Sequence, residues 1–488
     1  MKRILLLLSC LLDITSVIVC QDITIGLNFP VITQSDSPSV LAATVPDPNG
    51  AVGLSQIVTV ANSGFRSFDK FTGLPDFILD TNMEAFFGFP VTDLFDPRIR
   101  YDSFTDRWYI VAIDRQPLTN SLTNNNLWIA VSSEDPITPL TTWNIYTISS
   151  SAQGGDPTLG IDFPGMGIDE NNLIVAIKAV DPTVSAEFGP ASTRDNYIFV
   201  IPTAALISGS IAGQVTIFRG LIDQPFSTTQ TGIFAPTAAD NYDANPAFGY
   251  VIGSKFARSG ADEFDANQKL VMFKIDYSGP LSLQGPFDIL IPYAPPPLGD
   301  VPTKSDFPLL AQLVVDALDN RVYNAHVRNG LLYTANTYLS DLAGTGTETG
   351  DRNGVRWYII DGLGTAQTPT LIEVSSIFDP AITGSPRHYW FPSVMTTATL
   401  TPEMALCANG TGFLEYVNGF VVHRTAPNTS SQPPQQITNS SHMAINTRWG
   451  DLSYMSPDAT NPLAMWSFLE WGYLYADWAV QATQLLFE

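Results

Sequence analysis

The sequence predicts an all-β fold, a β-propeller of seven four-stranded blades whose ring is closed by an N-terminal strand. Three observations carry this. Short runs rich in Val, Ile, Phe, Tyr and Trp recur along the chain with turn residues between them, and no long apolar segment has a 3.6-residue period. The runs fall into units near 50–85, 95–150, 160–220, 240–293, 308–378, 388–440 and 448–488. The last unit shows only three strands, so a fourth must come from elsewhere in the chain.

The strands are read from the runs Gln56–Val60, Trp108–Ile113, Leu127–Val131, Leu173–Ile177, Tyr197–Ile201, Leu270–Ile275, Leu331–Thr334, Trp357–Ile360 and Gly419–His423. Turns are expected at Asp47-Pro48-Asn49-Gly50, Asp169-Glu170-Asn171-Asn172, Asp319-Asn320 and Asn329-Gly330, because Asn-Gly and Asp-Asn pairs tolerate positive φ. Units share a loose grammar, as in Asp106-Arg107-Trp108-Tyr109-Ile110 and Val355-Arg356-Trp357-Tyr358-Ile359. Each unit takes about 67 residues, against the roughly 40–50 of a minimal blade, so the loops are long; six or eight blades fit nearly as well. A four-stranded sheet buries little alone, and radial stacking covers both its faces. In the closing unit the strands are Leu452–Met455, Met465–Leu469 and Ala479–Phe487, and Asp22–Phe29 is the candidate for the fourth. A pair of β-sandwiches is the competing architecture. The Pro-rich stretch Pro292–Pro297 and the polar segment Thr425–Ser441 read as loops inside one domain spanning 21–488.

Residues 1–20 read as a signal peptide: Lys2 and Arg3 precede the nearly uninterrupted apolar run Ile4–Leu12, which is too short to span a bilayer. The expected location is therefore secreted and extracellular, with no membrane span. Of the three cysteines, Cys10 lies in the leader, Cys20 at its edge, and Cys407 is expected to be buried. The net charge of −24, from 23 basic and 47 acidic residues, excludes nucleic acid as a partner, because such a surface repels a phosphate backbone.

Several segments in order resemble a large, mostly bacterial group of secreted β-propeller-like proteins. They are Pro46-Asp47-Pro48-Asn49-Gly50-Ala51-Val52-Gly53, Phe68-Asp69-Lys70, Phe95-Asp96-Pro97-Arg98 with Tyr101-Asp102, and Asp106-Arg107-Trp108. Gly354-Val355-Arg356-Trp357-Tyr358, then His388 with Trp390 and Ser393, and Arg448-Trp449-Gly450-Asp451 complete the set. Leu452 stands where that pattern has an aromatic residue. The resemblance implies export and a propeller-like fold; it brings no settled activity and no catalytic residues.

Signatures of known chemistries are absent from the sequence. His326, His388, His423 and His442 show no metal-ligand spacing, so no metal site is assigned to them. No nucleophile elbow, phosphate-binding loop or Ser-x-Asp-x-Gly-x-x-Trp box occurs. Asp262-Glu263-Asp265 and Asp169-Glu170 carry the oxygen ligands that Ca²⁺ takes, without an EF-hand spacing, and solvated turns are the simpler reading; no other cofactor is indicated. Two carboxylates across a sugar bond would hydrolyse it, and Asp451 and Glu470 in the closing unit are the first suspects, with Arg448 and His388 beside them. Arg448 and Arg356 could hold a sugar carboxylate in a fork, although an Arg448–Asp451 turn pair is the plainer role. Trp108, Trp128, Trp357 and Trp466 read as core; Trp390, Trp449 and Trp471 are expected at the surface, where an indole can stack on a sugar ring. Asn409, Asn428 and Asn439 open N-glycosylation sequons. The leading expectation is an extracellular propeller that binds a carbohydrate or protein ligand at one end of its ring. A polysaccharide-acting hydrolase or lyase and a structural coat or matrix glycoprotein are the alternatives.

Overall fold

The computed structural model describes residues 23–36, 45–62, 64–88, 94–115, 121–184, 192–223, 231–257, 265–306, 313–364, 367–382, 385–424, 433–442, 448–473 and 477–487. The N-terminal leader, Cys20, Asn428, Asp262 and Glu263 lie outside these residues.

All nine apolar runs lie within strands, and seven four- or five-stranded sheets, antiparallel but for one short parallel pair in blade 5, form the blades of a propeller. The inner strands, in chain order, are Asn49–Val52, Leu94–Asp102, Gly160–Ile168, Thr231–Ala238, Val322–Arg328, His388–Thr396 and Tyr454–Pro457, and they number blades 1 to 7. Central strands are buried on both faces: every residue of Asn172–Val180 is buried. Outer strands such as Pro75–Thr81 alternate between exposed and covered positions, as a strand with one wet face does. Apolar packing fixes the blade number. Seven clusters each join two adjacent blades, from Val58 and Ile110 between blades 1 and 2 round to Val52 and Trp466 between blades 7 and 1. An eighth cluster, with Phe163, Phe234, Trp390 and Trp449, lies across one end of the channel.

The ring closes as the sequence suggests. Thr24–Thr33 pairs antiparallel with Trp478–Leu486 and forms the outer strand of blade 7. Cys407 is buried between blades 6 and 7, its Sγ 3.6 Å from Ser453 Oγ, and burial pushes its thiol up to about 12.

Three boundaries differ from the sequence reading. Blade 4 takes in the short strand Ile222–Asp223 before its inner strand at Thr231, and the inner strand of blade 5 begins at Val322, because part of 308–316 forms a separate hairpin, Asp300–Thr303 with Leu313–Asp316. The segment after Thr425 contributes the short outer strand Gln435–Gln436 of blade 6. Asp47-Pro48-Asn49-Gly50 is no hairpin turn: Asn49 and Gly50 open the inner strand of blade 1, and a Cβ on Gly50 would lie 2.4 Å from the Phe468 ring of blade 7. That glycine serves a close approach between blades. Asn329-Gly330, by contrast, closes its hairpin with φ of 54° and 73°, as read.

One local device recurs at the start of the inner strands. Asp47, Asp96, Phe163, Ala235 and Phe391 all have φ between 42° and 58°, and each precedes a proline. In blades 2, 3, 4 and 6 a β-bulge interrupts the pairing at this point. A bulge re-aims the side chains beside it. A left-handed residue costs ~1–2 kcal/mol, so the surrounding packing must hold it there.

Candidate functional site

The inner strands run the same way through the ring, so their first residues line one mouth of the channel, here the upper mouth, and their last residues the lower. At the upper mouth, blades 1, 2, 3 and 7 supply four carboxylates: Asp47, Asp96, Asp162 and Asp451, each 8% exposed or less. They sense one another electrostatically. Burial and Asp47 push Asp451 up to about 7, while Arg448 and Arg321 oppose this; burial, then Asp47, raises Asp96 well above the usual carboxylate range.

Backbone geometry locks the group together. Asp47 accepts from Asn62 Nδ2 at 2.6 Å and from the backbone N–H of Asp451 at 2.6 Å, across the seam of the ring. Glu470 accepts from Gly450 N–H at 2.7 Å, and burial pushes its carboxyl well upward. Asp162 is paired at 2.8 Å with the fully buried Lys178. Asp319 takes a two-pronged contact from Arg321, whose guanidinium also lies 4.3 Å from the centre of the Phe163 ring. Arg98 projects over the same ring at 5.5 Å. The hairpin Asp300–Thr303/Leu313–Asp316 covers this end, with Val301 and Val315 packed into the aromatic cluster.

Among the described residues several buried polar atoms here have no hydrogen-bond partner: Asp451 Oδ1, Arg98 Nη2, Tyr323 Oη, and the indole N–H groups of Trp390 and Trp449. Tyr323, Trp390 and Trp449 belong to the aromatic cluster, and Arg98 and Asp451 border it through Phe163 and Leu452. Donors and acceptors left unpaired in a buried site each cost ~1–3 kcal/mol, so such a concentration marks a place where a polar guest gains most by binding. The side chain of Arg448 is 41% exposed and lies 3.6 Å from Asp451, so the cluster reaches solvent on that side.

Of the residues suspected from sequence, the structure brings Asp451, Glu470 and Arg448 together around Gly450. His388 is not with them: its Nδ1 accepts from Asn353 N–H at 3.2 Å, its charged neighbours are Asp351, Arg352 and Asp379, and burial pushes it down to about 4. Arg356 is already used. It donates to Ser376 Oγ and to the Pro292 and Tyr293 carbonyls and stacks on Tyr338 at 3.9 Å, so no fork is left for a ligand carboxylate. Trp390 and Trp449 were expected at the surface and are 0% and 2% exposed; the bulge beside Phe391 turns that stretch into the channel. Trp471 remains partly exposed, edge-on to Tyr473. Trp108, Trp128, Trp357 and Trp466 are core, as read. Asn409 is fully buried with its Nδ2 on the Glu470 carbonyl, so the folded protein has no room for a glycan there, whereas Asn439 is exposed. Asp169 accepts from Tyr277 Oη at 2.6 Å and from two backbone N–H groups, and Asp265 pairs with Lys269. Among the described residues no cluster of three or more His, Cys, Asp or Glu is placed to hold a metal ion.

Sequence reasoning missed Asp47, Asp96, Asp162, Arg98 and Arg321. A signal for the first two existed: Pro-Asp-Pro and Phe-Asp-Pro repeat the same Asp-Pro step ahead of an inner strand.

No family model and no curated protein matches the chain. Among solved structures it is similar to Trypanosoma rangeli sialidase, at 9% identity and a TM-score of 0.39 over 94% of this chain and 59% of that one. The parainfluenza virus 5 hemagglutinin-neuraminidase ectodomain is similar at 8% identity and 0.42, over 82% of each chain. A protein of unknown function from Dyadobacter fermentans DSM 18053 matches at 8% and 0.38, over 80% of this chain and 94% of that one. The chain thus spans 59% of the length of the sialidase, and likeness at this level bears on the fold alone.

Proposed function

We propose that this protein is an exported propeller that binds a carbohydrate at the upper mouth of its channel. The supporting observation is the group of unpartnered donors and acceptors, Arg98 Nη2, Trp390 Nε1, Trp449 Nε1, Tyr323 Oη and Asp451 Oδ1, set among aromatic rings. A sugar offers hydroxyls that both donate and accept, together with C–H faces that pack on rings, and so answers both halves of this lining. A protein ligand would have to send a loop into an enclosed polar site. Loops on a rigid frame, here the connections above the inner strands, suit recognition.

A second reading, hydrolysis of a polysaccharide, draws on Asp451. A carboxyl pushed up to about 7 can hold a proton near neutral pH, as a general acid must, with Asp47 and Glu470 beside it and Arg448 on the solvent side. One experiment separates the readings: a glycan array and a polysaccharide-degradation screen on the purified protein, with and without Ca²⁺. Saturable binding without released sugar, weakened at least tenfold by Arg98→Met, is the expected result. Released sugar that Asp451→Asn abolishes would establish the hydrolase instead. Neither binding nor turnover on any glycan would overturn both and leave a structural or protein-binding role.

A further inference from the structure

The two mouths of the channel are separate places, because side chains cross it below the carboxylates. Asp240, fully buried, accepts from Arg100 Nε at 2.8 Å, from Ile168 N–H at 3.1 Å and from Tyr454 Oη at 2.8 Å. Arg100 also donates to Asn49 Oδ1 and to the Met166 carbonyl. Groups of blades 2, 3 and 7 therefore meet on one carboxylate, Asn49 of blade 1 joins through Arg100, and Asp240–Asn241 itself runs parallel to the inner strand of blade 5.

Below this tie lies a cavity of about 140 Å³ at the lower mouth, whose walls include Arg100, Tyr101, Tyr242, Arg328, Tyr454 and Asp458. Its charges can be followed one by one. Arg100 is matched by Asp240, and Asp458 by Lys70 Nζ at 2.9 Å. Arg328 has no such match. Its guanidinium stacks on Tyr242 at 4.5 Å, and among the described residues its buried Nε has no hydrogen-bond partner and no carboxylate lies within ion-pair distance. Asp243 and Asp102 stand near this region, but Asp243 accepts from the Asn329 and Gly330 N–H groups and Asp102 from Phe104 N–H and Thr105 Oγ1. The Tyr242 hydroxyl also makes no hydrogen bond among the described residues. In a chain of net charge −24, a largely buried arginine that feels Asp243 but makes no ion pair among the described residues, lining a cavity beside a free hydroxyl, points to an anion as its partner.

We propose that the lower mouth is a binding site for a small monoanionic carboxylate, held by the Arg328 guanidinium with Tyr242 Oη as a second donor. One arginine without a direct ion pair matches one negative charge. A phosphate or sulfate dianion would bring a second charge close to Asp458 and Asp240 with nothing to balance it. The planar fork of arginine suits a carboxylate. The volume admits the acidic end of a sugar acid or of an acylated amino acid, which share this group.

The test is titration of the full-length mature protein at constant ionic strength with glucuronate, N-acetylglycine, glucose and sulfate, followed by calorimetry and by thermal shift. Saturable binding of at least one carboxylate, with a Kd on the order of 1 mM, is expected, and none for glucose or sulfate. Which carboxylate binds identifies the source. Arg328→Gln should weaken binding at least tenfold and Tyr242→Phe several-fold, while Asp80→Asn, on the outer strand of blade 1, leaves it unchanged. Because Arg328→Gln could fail to fold, Tyr242→Phe and a crystal soaked in the bound carboxylate stand as independent readouts. No carboxylate binding by the wild type, equal binding by sulfate, undiminished binding by folded Arg328→Gln, or carboxylate density away from Arg328 would each overturn the proposal. Failure here leaves the glycan reading of the upper mouth intact, since the two share no residue.

Discussion

At the scale of the residue, the upper mouth is a set of carboxyls held where charge is unwelcome. Asp451 illustrates the consequence. Burial, then Asp47, raises its carboxyl to about 7, above the roughly 3.9 of an unfolded aspartate. The unfolded chain therefore gives up this proton more readily than the folded one. Stability from Asp451 is fully present below about pH 4 and is lost as the pH rises through 7, by an amount on the order of 3 kcal/mol. Asp451→Asn keeps the shape and removes the charge. Its melting temperature should exceed that of the wild type by a few degrees at pH 8 and equal it at pH 4, in a thermal-unfolding series across that range. A gain of the same size at both ends would show that folding does not raise this carboxyl above its unfolded value. Asp169, raised to about 6 by burial despite its contact with Tyr277, adds a smaller contribution of the same sign.

At the scale of the element, the inner strands do more than line a channel. The left-handed residue before each proline and the bulge that follows let Asp96, Phe163 and Phe391 face the axis near one end, while Arg100, later in its strand, crosses toward Asp240. Removing one member of such a buried pair leaves the other charged and unmatched. Asp240→Asn should therefore cost about 3–5 kcal/mol in denaturant unfolding, and the double variant Arg100→Met/Asp240→Leu should recover part of that loss. If Asp240→Asn unfolds at the wild-type midpoint, the tie does not hold the blades together. This element was only half legible in the sequence. The Asp-Pro and Phe-Pro steps could be seen, but their positive φ could not, since the residue before a proline ordinarily prefers extended backbone.

At the scale of the whole molecule, the ring has one seam. Thr24–Thr33 covers the edge of Trp478–Leu486, and Lys70 of blade 1 reaches Asp458 of blade 7 across it. Deleting residues up to Thr33 would bare a long strand edge and uncover Trp466 and Trp478 in the cluster between blades 7 and 1. The truncated protein should aggregate on expression or elute as large oligomers in size-exclusion chromatography; a soluble monomer with unchanged melting would show that the strand is dispensable.

The sequence by itself determined the class, the repetition and the closure. Val- and Ile-rich runs between turn residues can bury both faces only by stacking, and a final unit one strand short needs a partner from the other end of the chain. It also placed Asp451, Glu470 and Arg448 in one unit, because those residues are neighbours along one blade. It could not show that Asp47 bonds the backbone of Asp451 across 404 residues, that Trp390 and Trp449 face inward, or that Arg328, unlike Arg100 and Asp458, makes no ion pair among the described residues at the lower mouth. Those facts follow from strand register and from which blades meet at the axis. A one-residue change in register carries a side chain to the opposite face, so only the closed tertiary structure decides them.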